Sequence, residues 1–154
     1  MRFSVYQVSR KGGREKNEDR MGYCYTRDSG LFALADGMGG HPEGEVASQL
    51  ALQTLAAMFQ RDSKPTLPDP MRFLNESIIA GHHQLLRYAT QKALIDTPRT
   101  TVVACLLQGN AAGVLSLMFG RDRATLYSTQ GHALHEWDVT QRRRRRILRG
   151  HSNV

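Results

Sequence analysis

The sequence lacks the features that mark membrane-spanning, exported and disulfide-rich proteins. Within its 154 residues, no apolar run approaches the roughly 20 residues that a membrane-spanning helix requires. The first residues are not followed by the apolar segment of a secretory signal peptide. The two cysteines, Cys24 and Cys105, are far apart and lack metal-ligand spacing, so we interpret them as buried thiols of a reducing compartment. We therefore expect a cytoplasmic protein.

Positive charge is concentrated in one short stretch. The formal net charge is +7, but five of those charges come from the consecutive arginines Arg142, Arg143, Arg144, Arg145 and Arg146. Such a run is usually a solvated tail and sometimes a surface for an acidic partner. We expect one folded domain at 1–140, followed by a basic tail of uncertain structure at 141–154.

The apolar pattern predicts strands, then two helices, then further strands. The first helix follows the glycine-rich loop 38–42, has Glu43 and Glu45 at its start and carries an apolar stripe. The second helix begins with the cap Asp69 and Pro70 and ends near residue 92. Strands are predicted at 3–8, 21–25, 31–35, 100–107 and 114–119, and weaker ones at 124–127 and 133–139. This order indicates an α+β fold with antiparallel pairing.

Two short polar segments lie where a predicted strand meets a loop, which is where sites are commonly built. The first, residues 14–20, contains Arg14, Glu18 and Asp19. The second, residues 35–41, contains Asp36 and Gly37. An Asp-Gly pair after a strand is most often only a turn, and a Glu-Asp pair in a loop is usually solvated. It is therefore their combination that indicates a site.

The residue types in these segments suit a hard cation beside a phosphate group. Asp36 supplies a carboxylate, and Gly37, which has no side chain, can turn its carbonyl towards an ion. Mg²⁺ keeps several waters and needs only one or two direct carboxylates. Glu18 and Asp19 would hold those waters, and Arg14 would bind a phosphate ester through two parallel hydrogen bonds. The residues alone therefore predict a divalent-metal site.

The same segments resemble the motifs of bacterial PP2C protein phosphatases. Arg14 with Asn-Glu-Asp at 17–19 resembles the early Arg…Asn-Glu-Asp motif of that family. Residues 32–48 resemble its Asp-Gly-Met-Gly-Gly…Gly-Glu-Val-Ala-Ser block, and residues 100–104 resemble its Thr-Thr-Val-Val strand. The resemblance covers residues 3–112.

This resemblance implies a PP2C-like antiparallel β-sandwich flanked by helices, and hydrolysis of phosphoserine and phosphothreonine in proteins. Asp36 would bridge two Mg²⁺ or Mn²⁺ ions, and the Gly37 carbonyl would bind one of them. Glu18 and Asp19 would order metal-bound water, and Arg14 would bind the substrate phosphate. The metal pair would lower the pKa of a bridging water and make it the nucleophile, without a covalent phosphoenzyme.

The later part of the sequence departs from the family pattern. Arg121 stands where the family's Gly-Asp-Ser-Arg motif has Asp, and Asp122 stands where it has Ser. The family's later aspartates, which complete the second metal's ligands, have no counterpart here. We therefore expect a domain truncated at its C-terminus, with an incomplete second metal site. Uncovered sheet faces would promote self-association.

Three functions compete on the sequence alone. The first is a PP2C-type serine/threonine phosphatase, either active or inactive as this short chain. The second is a non-catalytic fragment or pseudophosphatase that binds phosphoprotein through the surface around Arg14. The third is a basic module that binds acidic partners through the arginine run; nucleic acid is a weaker expectation because that run lacks interleaved aromatics. No membrane partner is expected.

Overall fold

The computed structural model describes residues 4–108, 111–119, 125–130, 133–138 and 143–149. Two strands precede two helices, and five strands follow them. The elements are β1 (Asp19–Tyr25), β2 (Ser29–Gly37), α1 (Gly44–Asp62), α2 (Pro70–Gln91), β3 (Thr100–Gln108), β4 (Ala111–Phe119), β5 (Thr125–Gln130), β6 (Ala133–Asp138) and β7 (Arg143–Arg149).

The strands form one antiparallel sheet in which spatial order follows chain order from β1 to β7. The register places Asp19 opposite Asp36 and Leu34 opposite Val103. The predicted α+β class with antiparallel pairing is confirmed. Hydrogen bonding joins all seven strands into a single sheet, whereas the family resemblance implied two sheets packed face to face.

Both helices lie on one side of the sheet. Helix α1 packs on β1, β2 and β3, and α2 packs mainly on α1. Alternate residues of the strands face the helices, so the predicted stripe of α1 meets an apolar sheet surface. Phe59 is fully buried and meets Phe73 edge to face, with 6.1 Å between ring centroids. The buried core comprises Leu31, Ala35, Ala51, Leu55, Phe59, Leu67, Phe73, Leu74, Ile78, Val102, Ala104 and Leu106.

The starts of the two helices are built differently. The Asp69 side chain accepts a hydrogen bond from the Arg72 N–H at 2.9 Å, with Pro70 at the first helical position, as predicted. The residue before α1, Glu43, has a positive φ of 55° and makes no side-chain cap. Its carbonyl accepts the first hydrogen bonds of the helix, and its neighbouring carboxylate raises the pKa of the Tyr88 hydroxyl of α2. A left-handed non-glycine residue costs free energy.

The prediction of a strand at 3–8 is wrong for the residues that the structure describes, since 4–8 form no strand. Tyr6 is 90% exposed and Val8 is 54% exposed. The sequence pattern suits a strand, but a strand also needs a hydrogen-bonding partner. Strand β1 lies at the edge of the sheet, and residues 4–8 do not extend the sheet beyond it.

The later strands match the predicted segments, with one addition. Strands β4, β5 and β6 lie close to the predicted segments 114–119, 124–127 and 133–139. Strand β7 falls within the predicted basic tail and pairs with β6, while the domain boundary itself stays a prediction. Residues 120–124, where the sequence departs from the family motif, and Arg142 lie outside the described residues.

The sheet face opposite the helices is apolar and open within the first three strands. Tyr23 stacks on Tyr25 and on Phe32, with 6.4 and 6.3 Å between ring centroids. Leu34 and Val103 face each other across β2 and β3 and are each 40% exposed. Contiguous exposed apolar surface of this kind favours association.

Neither helix of the described residues is long and apolar enough to span a membrane.

This open face leads us to expect that the chain self-associates and that Leu34→Lys weakens the association, because the lysine would place a charge at the centre of the face. Light scattering across a protein concentration series measures the effect. The matched control is Ile95→Lys, in the loop before β3, where the side chain is already 98% exposed. A monodisperse monomer formed by the unmodified chain at all concentrations would contradict the prediction.

Candidate metal and phosphate site

A cleft of about 980 Å³ lies where β2 ends and the chain turns towards α1. All five residues singled out in the sequence line it: Arg14, Glu18, Asp19, Asp36 and Gly37. Residues 38–41 and Thr101 of β3 complete the wall on the β2 side. The fold therefore brings together two segments that are separate in sequence, but it does not by itself assign their roles.

The central feature of the cleft is a pair of carboxylates on neighbouring strands. Asp19 and Asp36 are direct cross-strand partners, which places their Cβ atoms about 4.5–5.5 Å apart. The pKa of Asp36 is raised, first by burial of its carboxyl, then by a hydrogen bond with Asp19 and by the negative charges of Asp19 and Glu18; the positive charge of Arg14 opposes the shift. Like charges directly opposite destabilise a sheet, so this arrangement is typical of a functional site.

The main-chain carbonyl of Glu18 joins three parts of the site. It accepts a hydrogen bond from the Gly37 N–H at 3.2 Å and another from the Ser48 hydroxyl at 2.6 Å. The loop before β1, the end of β2 and the first turns of α1 are thus fixed to one atom. The Glu18 side chain lies in the same region, with its Oε2 atom beside Gly39 and Gly44.

Two glycines allow this close packing. A Cβ atom on Gly37 would overlap the carbonyl oxygen of Gly44 and lie 2.9 Å from the Glu18 Cβ. A Cβ atom on Gly44 would lie 2.8 Å from the Glu18 Oε2. Gly37 therefore requires glycine because a Cβ atom there would meet the backbone of Gly44, whereas a Cβ atom on Gly44 would mainly displace the end of the Glu18 side chain.

Strand β3 fixes the other side of the Asp-Gly segment. The buried Thr100 hydroxyl donates to the main-chain carbonyl of Asp36 at 2.8 Å. The Met38 N–H donates to the carbonyl of Arg99 at 2.9 Å. Residues 36–38 are therefore held by hydrogen bonds to β3 as well as by those to Glu18.

Asn17 has a positioning role that the sequence analysis did not assign. Its side-chain oxygen accepts a hydrogen bond from the Asp19 N–H at 3.0 Å, and its amide group donates to the Ser9 hydroxyl at 2.7 Å. Asn commonly bonds the backbone two residues ahead in this way, so the spacing was a usable signal. Arg20 adds hydrogen bonds of 2.8 Å to the carbonyls of Asn17 and Asp19.

His41 and Asp96 form a second pair that sequence reasoning missed. The Nδ1 atom of His41 lies 2.9 Å from the Asp96 carboxylate, and His41 lines the cleft. Asp96 also accepts hydrogen bonds from the Thr97 N–H and the Arg99 guanidinium, at 2.9 and 3.1 Å. The two residues of the pair are 55 positions apart in the sequence, so no local sequence pattern predicts the contact. It ties the glycine-rich loop to the loop before β3.

The donors in the cleft fit a water-rich divalent cation site better than an all-protein cage. Within the described part of the chain, no group of three or more His, Cys, Asp and Glu side chains is arranged to hold a metal ion. Burial of the Asp36 carboxyl and the neighbouring charges of Asp19 and Glu18 raise the pKa of Asp36, and a bound cation would relieve this like-charge repulsion. One or two carboxylates with a carbonyl and several waters are what Mg²⁺ usually takes.

Comparison with known proteins decides the family. The family model described as protein phosphatase 2C matches residues 8–138. The chain belongs to the protein phosphatase 2C family. The match continues to residue 138, past residue 112, where the resemblance seen in the sequence ended.

Relatives within the protein phosphatase 2C family are bacterial serine/threonine phosphatases. The serine/threonine protein phosphatase PstP of Mycobacterium tuberculosis is 34% identical over 128 residues, covering 83% of this chain and 22% of PstP. The structure of serine/threonine phosphatase Stp1 from Staphylococcus aureus is 28% identical, with a TM-score of 0.62, and the match covers 79% of this chain and 50% of Stp1. This chain thus spans half or less of these relatives.

One structural relative contains metal. The catalytic domain of PstP was solved in complex with two manganese ions; it is 32% identical with a TM-score of 0.56, and the match covers 76% of this chain and 49% of that domain. Divalent metal is therefore present in a member of the protein phosphatase 2C family that shares this part of the fold.

The contact between Gly37 and Gly44 predicts that Gly37→Ala destabilises the protein by about 1–3 kcal/mol, the usual cost of inserting a methyl group into a packed position. Urea unfolding measures the change. The matched control is Gly39→Ala, whose Cβ would lie 3.7 Å from the nearest atom, the Glu18 Oε2, at an ordinary contact distance. Equal stability of Gly37→Ala and Gly39→Ala would show that the close approach does not constrain the site.

The Asp96 contacts predict a pH-dependent contribution to stability. The hydrogen bond from His41, followed by those from the Thr97 N–H and Arg99, lowers the pKa of Asp96. A carboxyl whose folded pKa is depressed stabilises the fold above its unfolded pKa of about 3.9, and the contribution is lost as the pH falls through the folded value. Asp96→Asn should therefore lower the Tm at pH 7, and the difference from the unmodified chain should shrink below about pH 4. A difference that stays constant with pH would contradict this account.

Proposed function

We propose that the cleft is the active site of a metal-dependent protein serine/threonine phosphatase and that the chain carries the Asp19–Asp36 half of that site. The observation that supports this most strongly is the cross-strand carboxylate pair, with Glu18 and Arg14 at the same cleft. Two adjacent carboxylates attract a divalent cation, and a neighbouring guanidinium attracts a phosphate. Membership of the protein phosphatase 2C family supports the same assignment.

The proposed metal-binding residues are Asp36, the Gly37 carbonyl, Glu18 and Asp19. Asp36 and the Gly37 carbonyl would hold Mg²⁺ or Mn²⁺, while Glu18 and Asp19 would hold the surrounding waters. When bound, two such ions activate water and stabilise charge on the phosphoryl oxygens. The hydrogen bonds to the Glu18 carbonyl and to the Asp36 carbonyl fix these groups before a ligand arrives, which reduces the cost of ordering them on binding.

Arg14 is the proposed phosphate-binding residue. Its side chain is exposed at the cleft, and its charge is close enough to lower the pKa of Asp36. No ion pair within residues 4–108 occupies its guanidinium. An arginine binds a phosphate through two parallel hydrogen bonds. Arg14 therefore orients a phosphoserine or phosphothreonine side chain with its phosphorus towards the carboxylates.

A second candidate is a non-catalytic protein that binds phosphoproteins through the same cleft. The observation that favours it is the small ligand set, because the described residues offer no group of three or more metal-binding side chains. With few carboxylates to balance their charge, two cations would bind weakly. In this second candidate, Arg14 still binds the phosphate group, but the phosphate ester is not hydrolysed.

The two candidates are separated by phosphate release from a phosphoserine peptide with and without Mn²⁺. For a phosphatase, we expect Mn²⁺-dependent release that falls by more than about 100-fold in Asp36→Ala, since even outer-sphere partners of a metal contribute about 10–100-fold. The matched control is Asp28→Ala, a carboxylate in the turn between β1 and β2, outside the cleft; it should retain full activity.

Other outcomes of this assay decide against the catalytic proposal. Peptide binding measured by fluorescence anisotropy, without any phosphate release, would favour the non-catalytic candidate. Loss of release in Asp28→Ala as severe as in Asp36→Ala would indicate general damage rather than a metal site. The absence of both binding and release in a folded preparation would contradict both candidates.

A further inference from the structure

We propose that Lys11 makes the cleft selective for phosphorylated peptides that carry a second negative charge one or two residues from the phosphorylated side chain. The inference rests on the proposed function, since Arg14 must receive the phosphate. It adds a recognition site for the neighbouring residue of the peptide. The ligand chemistry is an anionic side chain, either a carboxylate or a second phosphate.

The turn at 11–14 brings Lys11 and Arg14 to the same part of the cleft. The Arg14 N–H donates to the Lys11 carbonyl at 3.2 Å, and Gly12 has a positive φ of 59°. A hydrogen-bonded turn of this kind keeps its first and fourth Cα atoms within about 7 Å. Both residues line the cleft. The two cations therefore form one recognition surface although three peptide bonds separate them.

The turn lies in open space, where a peptide can reach it. A Cβ atom added to Gly12 or to Gly13 would meet nothing within 4 Å. Lys11 and Arg14 are both exposed. A peptide bound at Arg14 can therefore pass over this turn without displacing any side chain.

The charges of the cleft distinguish Lys11 from the other cations. Lys16 also lines the cleft, but its ammonium lies 3.3 Å from the Glu45 carboxylate. Within residues 4–108, no ion pair occupies Lys11. Lys11 and Arg14 are therefore the lysine and arginine side chains of the cleft that no ion pair within residues 4–108 occupies.

This arrangement sets the spacing of the second charge. Consecutive residues of an extended peptide are about 3.3–3.6 Å apart, so a separation within about 7 Å between the two anchoring residues corresponds to one or two residues of peptide. With the phosphate at Arg14, an acidic side chain one or two positions away reaches Lys11. A basic side chain at that position would be repelled.

The test compares three phosphoserine peptides in the presence of Mn²⁺: one with neutral neighbours, one with aspartate two residues away and one with a second phosphoserine there. Anisotropy gives binding and phosphate release gives kcat/KM. We expect the unmodified chain to favour either acidic peptide by about two- to fivefold at low salt, the size of one exposed charge pair. The aspartate and phosphoserine peptides show which anionic group Lys11 prefers.

The variants isolate Lys11. Lys11→Ala should remove the preference, Lys11→Glu should reverse it and Lys11→Arg should retain it. The matched control is Arg10→Ala, which removes a neighbouring cation that does not line the cleft and should leave the preference unchanged. Raising the salt to about 1 M, where the Debye length falls to about 3 Å, should weaken the preference in the unmodified chain.

The outcomes separate this inference from the proposed function. If the neutral peptide is bound or hydrolysed but the preference is the same in Lys11→Ala as in Arg10→Ala, the role of Lys11 is refuted and the proposed function stands. If no phosphopeptide binds or is hydrolysed, both are refuted.

Discussion

The carbonyl oxygen of Glu18 is the point on which the candidate site depends. It receives hydrogen bonds from the end of β2 and from Ser48 in α1, while Gly37 and Gly44 are in contact beside it. A side chain at Gly37 would meet the backbone of Gly44 and push β2 away from the start of α1. Because β2, α1 and the loop before β1 meet at one place, Glu18, Asp19 and Asp36 line one cleft although they are up to 18 residues apart in sequence. The hydrogen bonds from Thr100 and to Arg99 extend the same constraint to β3.

The site accumulates negative charge at the expense of stability. The register of β1 and β2 places Asp19 directly opposite Asp36, and burial of the Asp36 carboxyl together with the charges of Asp19 and Glu18 raises the pKa of Asp36. A divalent cation would relieve this repulsion, and Arg14 relieves only part of it. The electrostatics of the isolated chain and its membership of the protein phosphatase 2C family therefore support the same assignment independently.

Local sequence signals predicted much of this structure, and contacts between distant segments account for the rest. The Asp69–Pro70 start of α2 and the apolar stripe of α1 were readable because capping and helical periodicity are local. The five candidate site residues were singled out from residue type and motif, and all of them line one cleft. That Asp19 lies opposite Asp36 depends on strand register, which no motif specifies. The His41–Asp96 contact joins loops separated by α1 and α2. The strand predicted at 3–8 failed because a pattern of β-branched and aromatic residues does not specify a pairing partner.

The central claim is that the carboxylates around Asp36 form a divalent cation site in this chain, and titration with Mn²⁺ followed by electron paramagnetic resonance tests it without any substrate. The account predicts that free Mn²⁺ is depleted by the unmodified chain and that Asp36→Asn weakens binding at least about tenfold, the lower end of the effect of losing a group around a metal. Equal binding by both proteins, or no binding by either when both are folded, would contradict it.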